Sequence, residues 1–304
     1  MRRYLIQFAL VALTLFAIGS VSAQTPNTAI NHYRDGAKKV VKGDLDGAIE
    51  EYTRAIVISS RFGAAGSENS EANNINVVDP FTANAYTNRG VARFKKGDFE
   101  GAKADFDSAL RIRPGLAFAY VNRAAALREL GDLRGALADV DKAISIKSDL
   151  FEAYNNRGSL RHDLGDIKGA LSDFNQAIKL NSHECEPYYL RGYTRLAAND
   201  YDGAVADFNT ALKLSPEMAL AFQGRGTAWM FKGKLDEAIA DFSQALDRDP
   251  DIAWAYYNRG LALLVKGEVS RAQADFDRLI ALKPELKDDL ERRAQVARSL
   301  QRKK

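Results

Sequence analysis

The chain has 304 residues, 46% hydrophobic and 27% charged, which is the make-up of a folded protein rather than a disordered or membrane-spanning one. That length holds about two ordinary domains or one long repeat array. A net charge of +3 offers no global attraction for nucleic acid or anionic lipid, so no nucleic-acid partner is expected, and the lone Cys185 excludes an intramolecular disulfide.

Residues 1–23 read as a secretory signal peptide. Arg2 and Arg3 precede an apolar run over residues 4–18, followed by Gly19-Ser20-Val21-Ser22-Ala23 with small residues before a cleavage point between Ala23 and Gln24. The run is short for a membrane anchor, and no cysteine follows it to carry a lipid. The mature chain is therefore expected to be periplasmic or secreted, without stable membrane insertion.

Residues 24–62 carry Gly36, the pair Gly43-Asp44, Ala48, Tyr52 and Ala55, with His32 four places before Gly36. This is a degenerate first copy of a frame that recurs strictly downstream. An interval of 54 residues separates Gly36 from Gly90, one period plus an insertion of 20. The insertion, residues 63–82, is rich in Gly, Ala, Ser, Glu and Asn, buries nothing and is expected to be a flexible loop.

Six regular units fill residues 83–284, starting near 83, 117, 151, 185, 219 and 253. Arg89-Gly90, Arg123-Ala124, Arg157-Gly158, Arg191-Gly192, Arg225-Gly226 and Arg259-Gly260 recur every 34 residues. In the same phase come an aromatic (Tyr86, Tyr120, Tyr154, Tyr188, Phe222, Tyr256), an alanine (Ala102 to Ala272) and a large apolar residue (Phe106, Val140, Phe174, Phe208, Phe242, Phe276). Small residues follow at Ala109, Ala143, Ala177, Ala211 and Ala245, with Leu279 as the exception. This spacing predicts two helical stripes per unit. Between them lie Gly97-Asp98, Gly131-Asp132, Gly165-Asp166, Asn199-Asp200, Gly233-Lys234 and Gly267-Glu268. Gly or Asn tolerates the left-handed conformation that ends a helix, and Asp caps the next one. Units close at Pro114, Pro216, Pro250 and Pro284, while Ser148 and Ser182 predict less sharply broken junctions. Residues 285–304 place Leu286, Leu290, Ala294 and Leu300 at helical spacing, a capping helix with a basic tail.

The aromatic, small residue, Gly-Asp turn, Ala, Phe, Ala and Pro at a period of 34 resemble the tetratricopeptide family, over almost the whole mature chain. The resemblance implies an all-α solenoid, a right-handed superhelix of seven helix–turn–helix units with a C-terminal capping helix. Small residues let the helices approach closely, so a bulky residue at Ala170 is expected to cost about 1–3 kcal/mol. Each regular unit also pairs an arginine with an aspartate sixteen later, from Arg89 and Asp105 to Arg259 and Asp275. These read as partly buried ion pairs that fix register. Spacing does not decide whether each arginine uses the aspartate of its own unit or of the preceding one. The first unit, with Asp35 and Glu51 at these places, lacks the pair.

No catalytic motif is legible. His183-Glu184-Cys185-Glu186 is the one grouping of candidate metal ligands, and a structural zinc site takes four convergent Cys or His ligands. No metal or cofactor is expected, and the protein is expected not to be an enzyme.

The family resemblance implies that first helices line a concave surface for a protein or extended peptide. Asn88, Asn122, Asn156 and Asn258 stand two before the small residue, interrupted by Leu190 and Gly224; an amide both donates and accepts, which suits peptide-backbone recognition. The basic clamp of chaperone-binding relatives is absent, since Thr87, Val91, Val121 and Ala125 stand in its place. Tyr189, Leu190, Tyr193, Trp254, Tyr257 and Leu261 form an apolar stripe expected to anchor a partner, although Trp254 and its neighbours equally suit packing against the capping helix. The expected function is that of an interaction scaffold of the cell envelope. Glycan or small-molecule binding in the channel and regulation of an envelope peptidase are the alternatives. The oligomeric state is left open by the sequence, with pairing of apolar end-faces into homo-oligomers as one outcome.

Overall fold

The computed structural model describes residues 27–65 and 80–301. The expected signal peptide at 1–23 and the greater part of the expected insertion, 66–79, lie outside the described residues. The remainder of that insertion is helical at both ends, because the flanking helices reach further into it than its composition indicates.

The helices fall into two groups, divided between Leu164 and Gly165. The first contains α1 (Asn27–Val41) and α2 (Leu45–Ala65), α3 (Pro80–Lys95) and α4 (Phe99–Ile112), α5 (Ala117–Glu129) and α6 (Leu133–Ile146), then α7 (Phe151–Asp163). The second contains α8 (Ile167–Leu180), α9 (Cys185–Ala197) and α10 (Tyr201–Leu214), α11 (Ala219–Phe231) and α12 (Leu235–Arg248), α13 (Ala253–Lys266) and α14 (Val269–Leu282). A 3₁₀ turn, Pro284–Leu286, then leads into α15 (Lys287–Gln301). Within each group consecutive helices pair, and each second helix packs on the first helix of the next pair. The described residues contain no strand.

The turn inside each pair is local chemistry. Gly97, Gly131, Gly233 and Gly267 take positive φ, and Asn199 does so with φ 60°, the only non-glycine among the described residues to do this. Asp98, Asp132, Asp166 and Asp200 then accept a hydrogen bond from the backbone N–H three residues on. Lys234 and Glu268 make no such cap. At the other end, all six second helices from α4 to α14 run 14 residues, with or without a following proline. Ser148 and Ser182 therefore leave the junctions as sharp as proline does. At these places the residue after the helix turns extended (Lys147 φ −138°, Asn181 φ −145°), and its N–H closes the last turn on Ala143 or Ala177.

Packing follows size matching between helices. Phe106, Phe208 and Phe242 are fully buried under Gly90, Gly192 and Gly226, where a Cβ would fall 2.7–2.9 Å from the ring. Where the small residue is Ala124, the residue beneath is Val140, also fully buried. The methyl group added on one helix is matched by the bulk removed from the other.

Candidate partner-binding face

The fold itself uses the charge of the repeated arginines. Arg89, Arg123, Arg191, Arg225 and Arg259 each grip the aspartate of their own unit through Nε and Nη2, at 2.6–3.0 Å. The Nη1 atom reaches back to the preceding pair: to Thr53, Asp107, Asn175, Asn209 and Ser243, and for Arg157 to Asp141, at 2.6–2.9 Å. Each guanidinium also lies over the aromatic ring three residues before it, as Arg123 lies 5.4 Å from the Tyr120 centroid. In the first unit Glu51 keeps the acceptor place and takes His32 (2.6 Å), Lys39 (3.1 Å) and Arg54 (3.3 Å) instead of an arginine at position 35. These charges hold register between helices.

The asparagine row lies deep. Asn88 is buried and donates to the Tyr33 hydroxyl at 2.8 Å, a contact between helix pairs. Asn122 and Asn156 are buried as well. On α7, the buried polar atoms without a hydrogen-bond partner include Asn155 Oδ1, Asn156 Nδ2 and Ser159 Oγ. Asn155 and Ser159 escaped the sequence reading because each falls outside the repeated asparagine position; they lie one residue before it and one helical turn beyond it.

In the second group Tyr189 and Leu190 are buried, and Tyr189 meets Tyr193 edge-to-face at 5.0 Å. The Tyr193 hydroxyl reaches Gln223 Oε1 at 2.5 Å and the Leu220 carbonyl at 3.3 Å, tying α9 to α11. Asn258 is partly buried, with Thr227 Oγ1 at 3.5 Å. Gly224 leaves no room for any side chain, since a Cβ there would fall 2.5 Å from Phe208 Cζ. Trp254 and Tyr257 are in tilted contact at 5.2 Å, with Leu261 beside them. Tyr257 is covered by α15 and donates to Asp289 at 2.5 Å.

Glu186 enters as a further member of the α9 face. Its Oε1 is buried without a partner, and burial, aided by the Glu184 charge, pushes its carboxyl pKa up to about 8. Beside it, burial raises the Cys185 thiol. Among the described residues no three His, Cys, Asp or Glu side chains are grouped to hold a metal ion, and no helix is long and apolar enough to cross a membrane.

Comparison with known proteins places the helix pairs. A tetratricopeptide-repeat family model matches residues 83–116, a second matches 151–184 and 186–218, and a TPR-repeat model matches 226–267. No curated protein matches the sequence. Among solved structures, a tetratricopeptide repeat protein from Parabacteroides merdae superposes with a TM-score of 0.63 at 22% identity, covering 89% of this chain and 100% of its own. YrrB, described as a TPR protein with an unusual peptide-binding site, gives 0.51 at 26% identity, covering 64% and 98%. The pilF protein of Pseudomonas aeruginosa gives 0.61 at 18% identity, covering 66% and 92%. The helix pairs within residues 83–116, 151–218 and 226–267 match tetratricopeptide-repeat models, and the all-helical paired fold is shared with tetratricopeptide-repeat structures.

Proposed function

We propose that the protein is a non-catalytic scaffold of the cell envelope that takes up an extended segment of a partner protein along the inner faces of its first helices. One observation carries the reading. Native folds rarely leave buried polar atoms unpaired, because each costs about 1–3 kcal/mol. On α7 an amide oxygen, an amide nitrogen and a hydroxyl are left so within one and a half turns of helix. An acceptor, a donor and a group able to do both are what a peptide main chain requires, and at 1% exposure these residues meet one only when the side chains over them shift aside. The 26% identity to a protein described as having a peptide-binding site points the same way. Asn88 and Asn122 frame the rest of the face in the first group, and Tyr189, Leu190, Tyr193, Trp254, Tyr257, Asn258 and Leu261 frame a face of the second, as wall rather than as freely exposed anchors.

The test separates binding from folding. Asn155→Leu, Asn156→Leu and Ser159→Ala together replace the unpaired polar groups by apolar ones of similar shape, so the melting temperature should hold or rise. Capture of a stoichiometric protein from envelope extract by the full chain should fall at least tenfold. Unchanged capture defeats the proposal. Export is checked by fractionation and by N-terminal sequencing of the mature protein, with Gln24 expected first.

A further inference from the structure

We propose that α15 is a strap that opens and closes over the inner face of α13, and that a partner segment reaches that face only when the strap lifts. The inference rests on the binding face proposed above. Three features carry it.

The first is position. In both groups a first helix meets the preceding pair mainly through that pair's second helix, as α11 meets α10 and α13 meets α12. By contrast α15 lies chiefly against α13, while the 3₁₀ turn is what meets α14. Its Leu290, Ala294 and Ala297 close over Tyr257 and Leu264, so it occupies the side of α13 from which Tyr257 projects.

The second is the weakness of the hold. Of the α15 side chains described, only Leu290, Ala294 and Ala297 are buried, and Val296 is 60% exposed. One leucine and two alanines offset little of the conformational entropy lost in ordering a helix of fifteen residues. Among the described residues one side-chain hydrogen bond, Tyr257 hydroxyl to Asp289, supplements them; Arg293 steadies the same carboxylate at 3.2 Å and lies 6.0 Å from the Tyr257 ring centroid.

The third is a mismatch of breadth. Trp254 and Leu261 pack at the margin of this cluster and stay partly exposed, so α13 offers more apolar surface than α15 covers. The occupant this face fits is a partner segment with larger apolar side chains and a carboxylate to take over the Tyr257 hydroxyl.

Hydrogen–deuterium exchange on the full chain tests the opening directly. The α15 amides should exchange at least roughly a hundredfold faster than those of α13 and α14. Tyr257→Phe should speed α15 about tenfold further and leave α13 and α14 unchanged. Full-chain Leu290→Glu should bind anilinonaphthalene sulfonate with blue-shifted emission while keeping the helical circular dichroism of the array. The proposal is overturned if α15 shares the protection of α13 and α14, if Tyr257→Phe leaves α15 unaffected, or if Leu290→Glu binds no dye or unfolds the whole chain. A strap that stays shut leaves the capture experiment on α7 standing; a strap that opens while α7 captures nothing sinks the binding face alone.

Discussion

Arg123 donates two hydrogen bonds to Asp139 of its own helix pair, both 2.7 Å, and one of 2.6 Å to Asp107 of the pair before. The two contacts differ in depth, since Asp139 is 9% exposed and Asp107 34%. Removing the deeper carboxylate leaves a largely buried guanidinium without its main partner, so Asp139→Ala is expected to cost about 2–3 kcal/mol, whereas Asp107→Ala is expected to cost about 1 kcal/mol or less. Replacing both members of the deeper pair, Arg123→Met with Asp139→Leu, should recover most of the loss, because well-packed apolar groups carry no desolvation penalty. Urea unfolding followed by circular dichroism measures all three. Equal costs for the two aspartates would refute the depth argument.

Gly90 and Phe106 make a second coupled pair. A methyl group on Gly90 would sit 2.7 Å from Phe106 Cε1, closer than packed carbons approach. Gly90→Ala is expected to cost about 1–3 kcal/mol through overpacking. Adding Phe106→Val reproduces the Ala124 and Val140 combination of the next unit, and part of the loss should return. The double-mutant cycle in thermal unfolding gives the coupling; strict additivity would show that the close approach is not what selects glycine.

Much of this was legible in the sequence, and the limits have physical causes. A strict period fixes the direction in which a side chain leaves its helix, so the turn residues, the aspartate caps and the Phe106 row could be read directly. Depth depends on how tightly neighbouring helices close, and a period carries no information on that. Asn88 illustrates the point: its phase marks a first-helix inner position, yet its amide is used on Tyr33 inside the stack. The arginine spacing left open the repeat aspartate of the same unit or of the preceding one, Asp139 or Asp105 for Arg123; the guanidinium takes Asp139 and reaches back not to Asp105 but to Asp107. Likewise the spacing of Leu286, Leu290, Ala294 and Leu300 predicts a capping helix, but not that Leu286 falls in the 3₁₀ turn before it, nor whether α13 or α14 receives the helix.

Asn199 supplies a test of the turn. It holds φ 60° where Gly97, Gly131, Gly233 and Gly267 stand in other units. An L residue with a Cβ is strained in this region and glycine is not, so Asn199→Gly should stabilise by up to about 1 kcal/mol. Asp132→Ala, which removes the acceptor for the Gly135 N–H at 2.9 Å, should cost about 1 kcal/mol. Opposite signs in matched melting experiments are expected, and a destabilising Asn199→Gly would mean that the asparagine side chain, not the backbone angle, holds this turn.

Glu186 sets the pH dependence of the second group. Its ordinary pKa of 4.5 is raised to about 8 in the folded chain, chiefly by burial and secondarily by Glu184. The folded state therefore keeps a proton that the unfolded chain gives up. Its contribution to stability is complete below about pH 4.5, declines as the pH rises, and is lost by about pH 8, above which the folded chain must carry a buried charge without a partner. Glu186→Gln keeps the shape and the neutral state at every pH. The variant should match the parent at pH 4 and exceed it at pH 9 by on the order of 1 kcal/mol or more. Chemical denaturation at both pH values, alongside a carbon-13 titration of the Glu186 carboxyl, checks the sign. A titration near 4.5, or a variant no more stable than the parent at pH 9, would mean that water reaches both oxygens and that the α9 face is open at that point.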